Sequence, residues 1–271
     1  MTLNNTLRFK IALQTIKDNA KLTVILTLLF MMMVAVYAGM FPSFEEALLE
    51  MANTDVMEGF NFFPHADQMH TYVGFLTIEL YTIFWLLILA IIIGFIAAST
   101  ISREIEGKTI DLLMSNPVSR KQIVFEKFIG LVPMFLIVNF ATMIAVIGIT
   151  EGINQTLNYN NLFMVHVISI PYFLAVFSIG ILVSVIINEK MRASIFLIAV
   201  LFTMFIINSI SLMTPDYEFL GSFSLFHYFD TFDVLANGNV DVAGVFVMIA
   251  IITACLVISM IYFENKDIPV S

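Results

Sequence analysis

Charge is scarce in this sequence. Asp, Glu, Lys and Arg make up 12% of its 271 residues, roughly half the 25% usual in soluble domains. With 60% hydrophobic residues and a mean hydropathy of +0.96, the chain falls outside the soluble globular class and reads as a polytopic membrane protein. A single cysteine, Cys255, excludes an internal disulfide, and its place inside an apolar run leaves the redox compartment open. The one tryptophan, Trp85, lies well inside an apolar run, which excludes it as an interface anchor. Stretches 42–74, 150–161 and 214–243 lack Lys and Arg altogether, yet they hold twelve acidic residues.

What is present is long apolar sequence. Six runs, roughly 22–41, 75–99, 128–149, 162–187, 193–213 and 244–263, each approach the ~20 residues that cross a bilayer. The twelve basic residues sit elsewhere: four in 8–21, five in 103–127, then Lys190, Arg192 and Lys266. By the positive-inside rule both termini are expected in the cytoplasm, which an even number of spans requires. The expected fold is all-α, a six-span multi-pass protein of the cell membrane with outer loops 42–74, 150–161 and 214–243. The lipid bilayer is its expected surroundings, and no nucleic-acid partner is expected.

Residues 1–21 form one unit and 22–271 a single transmembrane domain. Within the first, Phe9, Ala12, Leu13, Ile16 and Ala20 share a helical face opposite Lys10, Gln14, Lys17, Asp18 and Lys21, the pattern of an amphipathic helix in the headgroup plane. The alternative is a basic flank that only sets topology. The basic flank also resembles a secretory signal, with Val36 and Ala38 as a weak cleavage site. The run that follows is about a full span, against roughly 7–15 residues in a signal core, so an uncleaved anchor is expected.

In the first outer loop, Ser43 and Glu46 have capping-box spacing and predict a short outer helix. Met51, Met57, His65, Met69 and His70 offer soft ligands but lack tight ligand spacing, so ordinary loop packing is expected and no metal is assigned. The third outer loop mixes Phe and Leu with Asp and ends in Asn237-Gly238-Asn239, predicting short helices closed by a turn.

The longest internal polar segment is Ser102–Lys127. Gly107-Lys108-Thr109 imitates the end of a phosphate-binding loop, but that motif needs Gly where Ser102 stands, and a strand where an apolar run stands. Ile105, Thr109, Leu112 and Leu113 recur at helical spacing, Asn116-Pro117 breaks that helix, and Ser119 with Gln122 caps the next. A minimal charged loop would need only a few residues.

The stretch REIEGKTIDLLMSNPVSRKQIVFEK resembles the signature of type-2 ATP-binding-cassette permeases. The matching residues are Glu104, Glu106, Thr109, Leu112, Leu113, Pro117, Val118, Ser119, Arg120 and Lys127. One departure is that Lys108 stands where many members place Gly before the Thr. FSLFHYFDTFDVLANGNVDV is similar to the family's segment before its last span, so the likeness covers the whole chain. The resemblance implies a non-catalytic permease subunit of an ATP-driven exporter. It implies a pairing with a second permease, identical or paralogous, and docking on two cytosolic ATPase subunits. Segment 102–127 would then be the coupling element, acting through Glu104, Glu106, Thr109, Leu112, Leu113, Pro117, Val118, Ser119 and Arg120. No cofactor is expected on this chain; ATP and Mg belong to the partner ATPase. Few charges in the spans favour an amphiphilic cargo that is lipid-like, peptide or drug-like.

Glu79 is the only acidic residue inside an apolar run. It is either an intramembrane functional group or a shallow carboxylate reaching the outer headgroups. The competing function is a self-sufficient channel or ion-coupled secondary transporter using Glu79. A membrane-embedded enzyme would need clustered catalytic groups, which the spans lack. Asn139, His166 and Asn208 are expected to join helices by hydrogen bonds, and Pro133 and Pro171 to lie within kinked helices.

Overall fold

A computed structural model describes residues 9–52, 65–110 and 118–267, and these residues form an all-helical bundle. Among the described residues six helices are long and apolar enough to cross a membrane: α1 (Lys10–Ala52), α2 (Tyr72–Glu106), α3 (Arg120–Gly152), α4 (Tyr159–Ile186), α5 (Lys190–Met213) and α6 (Val242–Asn265). Each contains one of the six apolar runs read from the sequence.

The first helix departs from expectation. It is unbroken from the basic N-terminal stretch through the apolar run and Pro42 to Ala52. Its 43 residues span about 65 Å at 1.5 Å per residue, roughly twice a hydrocarbon core of ~30 Å. Ser43 and Glu46 therefore lie in mid-helix and start no separate outer helix. Packing outweighs the proline: Phe41 lies 5.2 Å from the Tyr72 ring and 5.4 Å from Phe75, and Leu48 is buried one and a half turns beyond Pro42. Near the other end, Ile11, Ala12 and Thr15 are buried, whereas Phe9, Leu13 and Ala20 are exposed. The apolar face read from the sequence is thus mostly uncovered, and a neighbouring face seats on α3.

Close approach between helices depends on two glycines. A Cβ on Gly130 of α3 would lie 2.6 Å from Thr15 Cβ and 2.9 Å from the Ala12 carbonyl oxygen; one on Gly180 of α4 would lie 2.6 Å from Ala97 Cβ of α2. Small residues bring membrane helices together in this way.

The second helix changes winding. Residues Leu76–Leu89 form a π-helix between α-helical Tyr72–Phe75 and Ala90–Ser99, a form usually confined to single turns. This stretch carries Tyr81 and Trp85 into the centre of the bundle, and both are fully buried. Trp85 is ringed by Phe30, Phe135, Phe173 and His166, with centroids 5.4–6.4 Å away, a buried place and not that of an interface anchor. Beside it, the Tyr81 hydroxyl meets His166 Nε2 at 3.1 Å, and His166 Nδ1 meets Asn139 Oδ1 at 2.8 Å. The Asn139 amide donates to the His166 carbonyl at 2.9 Å. Asn139 and His166 thus join α2, α3 and α4 in the manner expected. Helices α3 and α4 run on through Pro133 and Pro171.

Between α5 and α6 the chain folds as two short 3-10 helices, Pro215–Phe223 and Leu225–Tyr228, and one π-turn, Asp233–Asn237. Leu225, Phe226, Phe229, Val234 and Leu235 are buried, and Gly238 closes the turn at φ 73°. Phe219 and Phe223 remain exposed.

Candidate coupling site at the basic end of the bundle

The residues singled out between Glu104 and Arg120 lie where α2 passes into α3. Glu104, near the end of α2, accepts a 3.0 Å hydrogen bond at Oε1 from Lys127 Nζ on α3. Its other oxygen accepts from the Thr109 hydroxyl, and Thr109 N–H donates to the Glu104 carbonyl at 2.9 Å. The Lys127 and Glu104 side chains are only 4% and 18% exposed, so this ion pair is largely withdrawn from water. Between them the chain turns at Lys108, whose φ of 55° lies in the left-handed region that glycine adopts most cheaply. Lys108 is the position at which the sequence departs from the family pattern.

Ser119 caps α3 as expected, its Oγ accepting Gln122 N–H at 3.2 Å. The reciprocal half of the capping box is replaced, because the Gln122 side chain donates to Glu126 at 2.6 Å. Val118 is half-buried against the core. Leu112, Leu113 and Pro117 lie outside the described residues.

The remaining contacts share one physical theme. A helix leaves N–H groups unmet at its start and carbonyls unmet at its end, and its dipole favours acids at the first and bases at the second. Glu106 accepts the backbone N–H of Lys190 at 2.9 Å, at the start of α5. Glu126, only 2% exposed, accepts the N–H groups of Ile11 and Ala12 at 2.9 and 3.2 Å, at the start of α1. Arg120 donates to the carbonyls of Phe263 (3.1 Å), Glu264 (3.5 Å) and Lys266 where α6 ends, and its guanidinium lies 5.8 Å from the Phe263 ring centre. Lys121 pairs with Glu264 at 2.7 Å. Lys266 in turn donates to the carbonyls of Val185 and Ile186, closing α4. Ser184 of α4 accepts the N–H groups of Ile101 and Ser102 at 2.8 and 2.9 Å. The segment from Ile101 to Lys127 is therefore bonded to α1, α4, α5 and α6 as well as to the helices it joins. These bonds also gather the basic stretches near Lys10, Lys190 and Lys266 at the same end of the bundle as residues 103–127.

Arg120, a coupling residue by the family resemblance, is engaged inside the chain, tying α3 to α6. Glu126 was missed. One signal bears on it: α1 has no acidic residue in its first turn, where an acid from another helix is favoured by the helix dipole.

A scan of protein families matches residues 13–268 to the ABC-2 family transporter proteins. The chain belongs to this family. It is a multi-pass membrane permease, the non-catalytic transmembrane component of an ABC transporter. A comparison with curated proteins finds no match. Membership implies ATPase partners for the ABC-2 permease.

The other candidate residues of the ABC-2 permease lie toward the acidic end. Glu79 is half-buried and lines an apolar recess of about 410 Å³ with Tyr37, Met40, Phe44, Met69 and others between α1 and α2. His65 pairs with Asp230 at 2.8 Å and stacks on Phe232 at 4.4 Å, while His70 meets the Asp67 carbonyl at 2.9 Å. Among the described residues no three His, Cys, Asp or Glu side chains converge on one point; Met57 lies outside them.

Proposed function

We propose that this permease is the membrane half of an ATP-driven exporter, working as a dimer of permeases on two cytosolic ATPase subunits. Residues 102–127 are the element those ATPases push. The observation that carries this is the set of bonds by which that segment reaches every other long helix: Glu126 to α1, Ser102 and Ile101 to α4, Glu106 to α5 and Arg120 to α6. A displacement of the segment cannot leave the helix ends where they were, because each bond lost would orphan a helix-terminal group. Glu104, Thr109 and Lys127 stiffen the segment, and Val118 and Ser119 set the start of α3. Leu112, Leu113 and Pro117 offer the apolar contact for the motor.

The gathering of the basic stretches at one end supports a cytoplasmic placement of both termini and of this segment. The N-terminal stretch, with Phe9, Leu13 and Ala20 uncovered beside Lys10, Lys17 and Lys21, suits an amphipathic contact with the inner headgroups. The cargo is an amphiphile, in keeping with spans that carry few charges.

The deciding experiment is a mild-detergent pull-down of the tagged chain from its native host. Recovery of a soluble protein with Walker motifs, and ATP hydrolysis in the complex, is expected. If the chain comes alone across several detergents and its transport survives ATP depletion but collapses with an ion gradient, the ion-coupled reading through Glu79 replaces this one.

A further inference from the structure

At the acidic end, α2, α5 and the connection between α5 and α6 enclose a recess of about 200 Å³, apart from the coupling segment and from Glu79. Phe205, Phe226 and Phe229, with Leu86 and Leu212, form its apolar walls, and His227 lines it beside them. Asn208 lines it from α5. This residue is only 8% exposed, and its amide oxygen is buried with no hydrogen-bond partner among the described residues. The sequence led us to expect Asn208 to bond a neighbouring helix, and through this oxygen it does not. A buried acceptor left unmet costs roughly 1–3 kcal/mol, so it either marks a defect or awaits a donor.

Asp230 lines the same recess. A carboxylate offers about four acceptor positions. One oxygen takes His65 Nε2 at 2.8 Å, and the other takes the N–H groups of Phe232 and Asp233 at 3.0 and 3.1 Å. Among the described residues one position is left. Asp67 and Asp233 add negative field around His65, and the sequence stretches 42–74, 150–161 and 214–243 hold twelve acids and no Lys or Arg. An unmet acceptor, a carboxylate with spare capacity, aromatic faces and a negative surround share one complement: a cation that carries N–H donors.

We propose that this recess binds the primary ammonium group of an amphiphilic amine, with Asn208 Oδ1 and Asp230 accepting its N–H donors and Phe205, Phe226 and Phe229 against its apolar part. This deepens the export reading by giving the cargo a charge and a head group, and its role as a cargo site rests on that reading. The binding itself does not, so it is tested without ATP or the ATPase.

The probe is 2-phenylethylammonium, compared with phenylacetate and 2-phenylethanol, titrated onto the purified full chain in nanodiscs and followed by saturation-transfer NMR. Saturable binding of the amine is expected, with both other probes weaker by about tenfold or more. Asn208→Leu and Asp230→Asn should each weaken the amine by about tenfold, leaving the elution profile of the protein unchanged. His65→Gln, which replaces a donor that is positively charged when protonated by a neutral amide without touching the recess, should bind the amine at least as tightly as the parent. The proposal is overturned by absence of saturable binding for all three probes, by equal binding of phenylacetate, or by parental affinity in both recess variants. A loss in His65→Gln as large as in Asp230→Asn also overturns it, since Asp230 would then act only as a tie between loops. None of these outcomes bears on recovery of the ATPase.

Discussion

The carboxylate of Glu126 accepts the backbone N–H groups of Ile11 and Ala12 across a separation of 115 and 114 residues. A residue at the root of α3 thus supplies the N-terminal cap that α1 does not supply from its own first turn. Glu126→Ala should leave both N–H groups unmet in a buried place and cost about 1–2 kcal/mol. Glu126→Gln keeps an acceptor and should cost less. Hydrogen exchange of residues 10–20 is the measurement: faster exchange confined to this stretch in the Ala variant, with the centre of α1 unaffected, is the expected result. Unchanged protection would mean that packing against Gly130 alone holds the helix start.

Glu104 and Lys127 form an ion pair that brackets the turn at Lys108, and both are mostly withdrawn from water. Removing one partner of such a pair is costlier than removing both, because the survivor is stranded. Glu104→Gln or Lys127→Met alone should each lower stability by about 3–5 kcal/mol, and the double variant should recover much of that loss. Thermal unfolding of the four proteins in one detergent gives the cycle. Strictly additive losses would show that the two groups act independently.

The six spans were legible because a span is a local property: about 20 apolar residues announce themselves wherever they fold. The start of α3 was legible for the same reason, since Ser119 and Gln122 are three residues apart. What stayed hidden depends on partners distant in sequence. The tie from Arg120 to α6 was hidden because the carbonyls it meets at Phe263, Glu264 and Lys266 belong to the far end of the chain. Glu126 was missed because the N–H groups it caps, those of Ile11 and Ala12, lie more than a hundred residues away. The passage of α1 through Pro42 turned on aromatic packing against Tyr72 and Phe75, which no local signal encodes. The π winding of Leu76–Leu89 leaves no trace in composition, because those residues are apolar under either winding.

Lys108 holds φ at 55° between Glu104 and Thr109. Left-handed geometry costs a residue with a Cβ about 1–2 kcal/mol, and glycine gives back up to about 1 kcal/mol in chain entropy. Lys108→Gly should therefore leave stability equal or slightly raised. Lys108→Val, a β-branched residue in the same geometry, should lower it by at least about 1 kcal/mol. Unfolding midpoints of the two variants against the parent provide the check. A clear loss in the Gly variant would assign the Lys108 side chain a contact of its own.

His65 and Asp230 tie the stretch before α2 to the connection before α6 at 2.8 Å. The hydrogen bond to Asp230 raises the His65 pKa above its ordinary value; burial opposes this, and the charges of Asp230, Asp67 and Asp233 add to the rise. Burial pushes Asp230 upward, but hydrogen bonds from His65 and from the N–H groups of Asp233 and Phe232 outweigh it and leave its pKa lowered. The signs fix a window. A raised His contributes fully below its unfolded value of about 6.5 and loses that contribution as pH rises through its folded value. A lowered Asp contributes above its unfolded value of about 3.9 and loses that contribution as pH falls through its folded value. The tie is therefore strongest in mildly acidic solution and slackens on the alkaline side of His65. NMR titration of the His65 ring should give a midpoint above 6.5 in the parent and a lower one in Asp230→Asn, where the charge is gone but the shape remains. Equal midpoints in the two proteins would show that the His65–Asp230 contact carries no charge, and that the ring is held there by Phe232 alone.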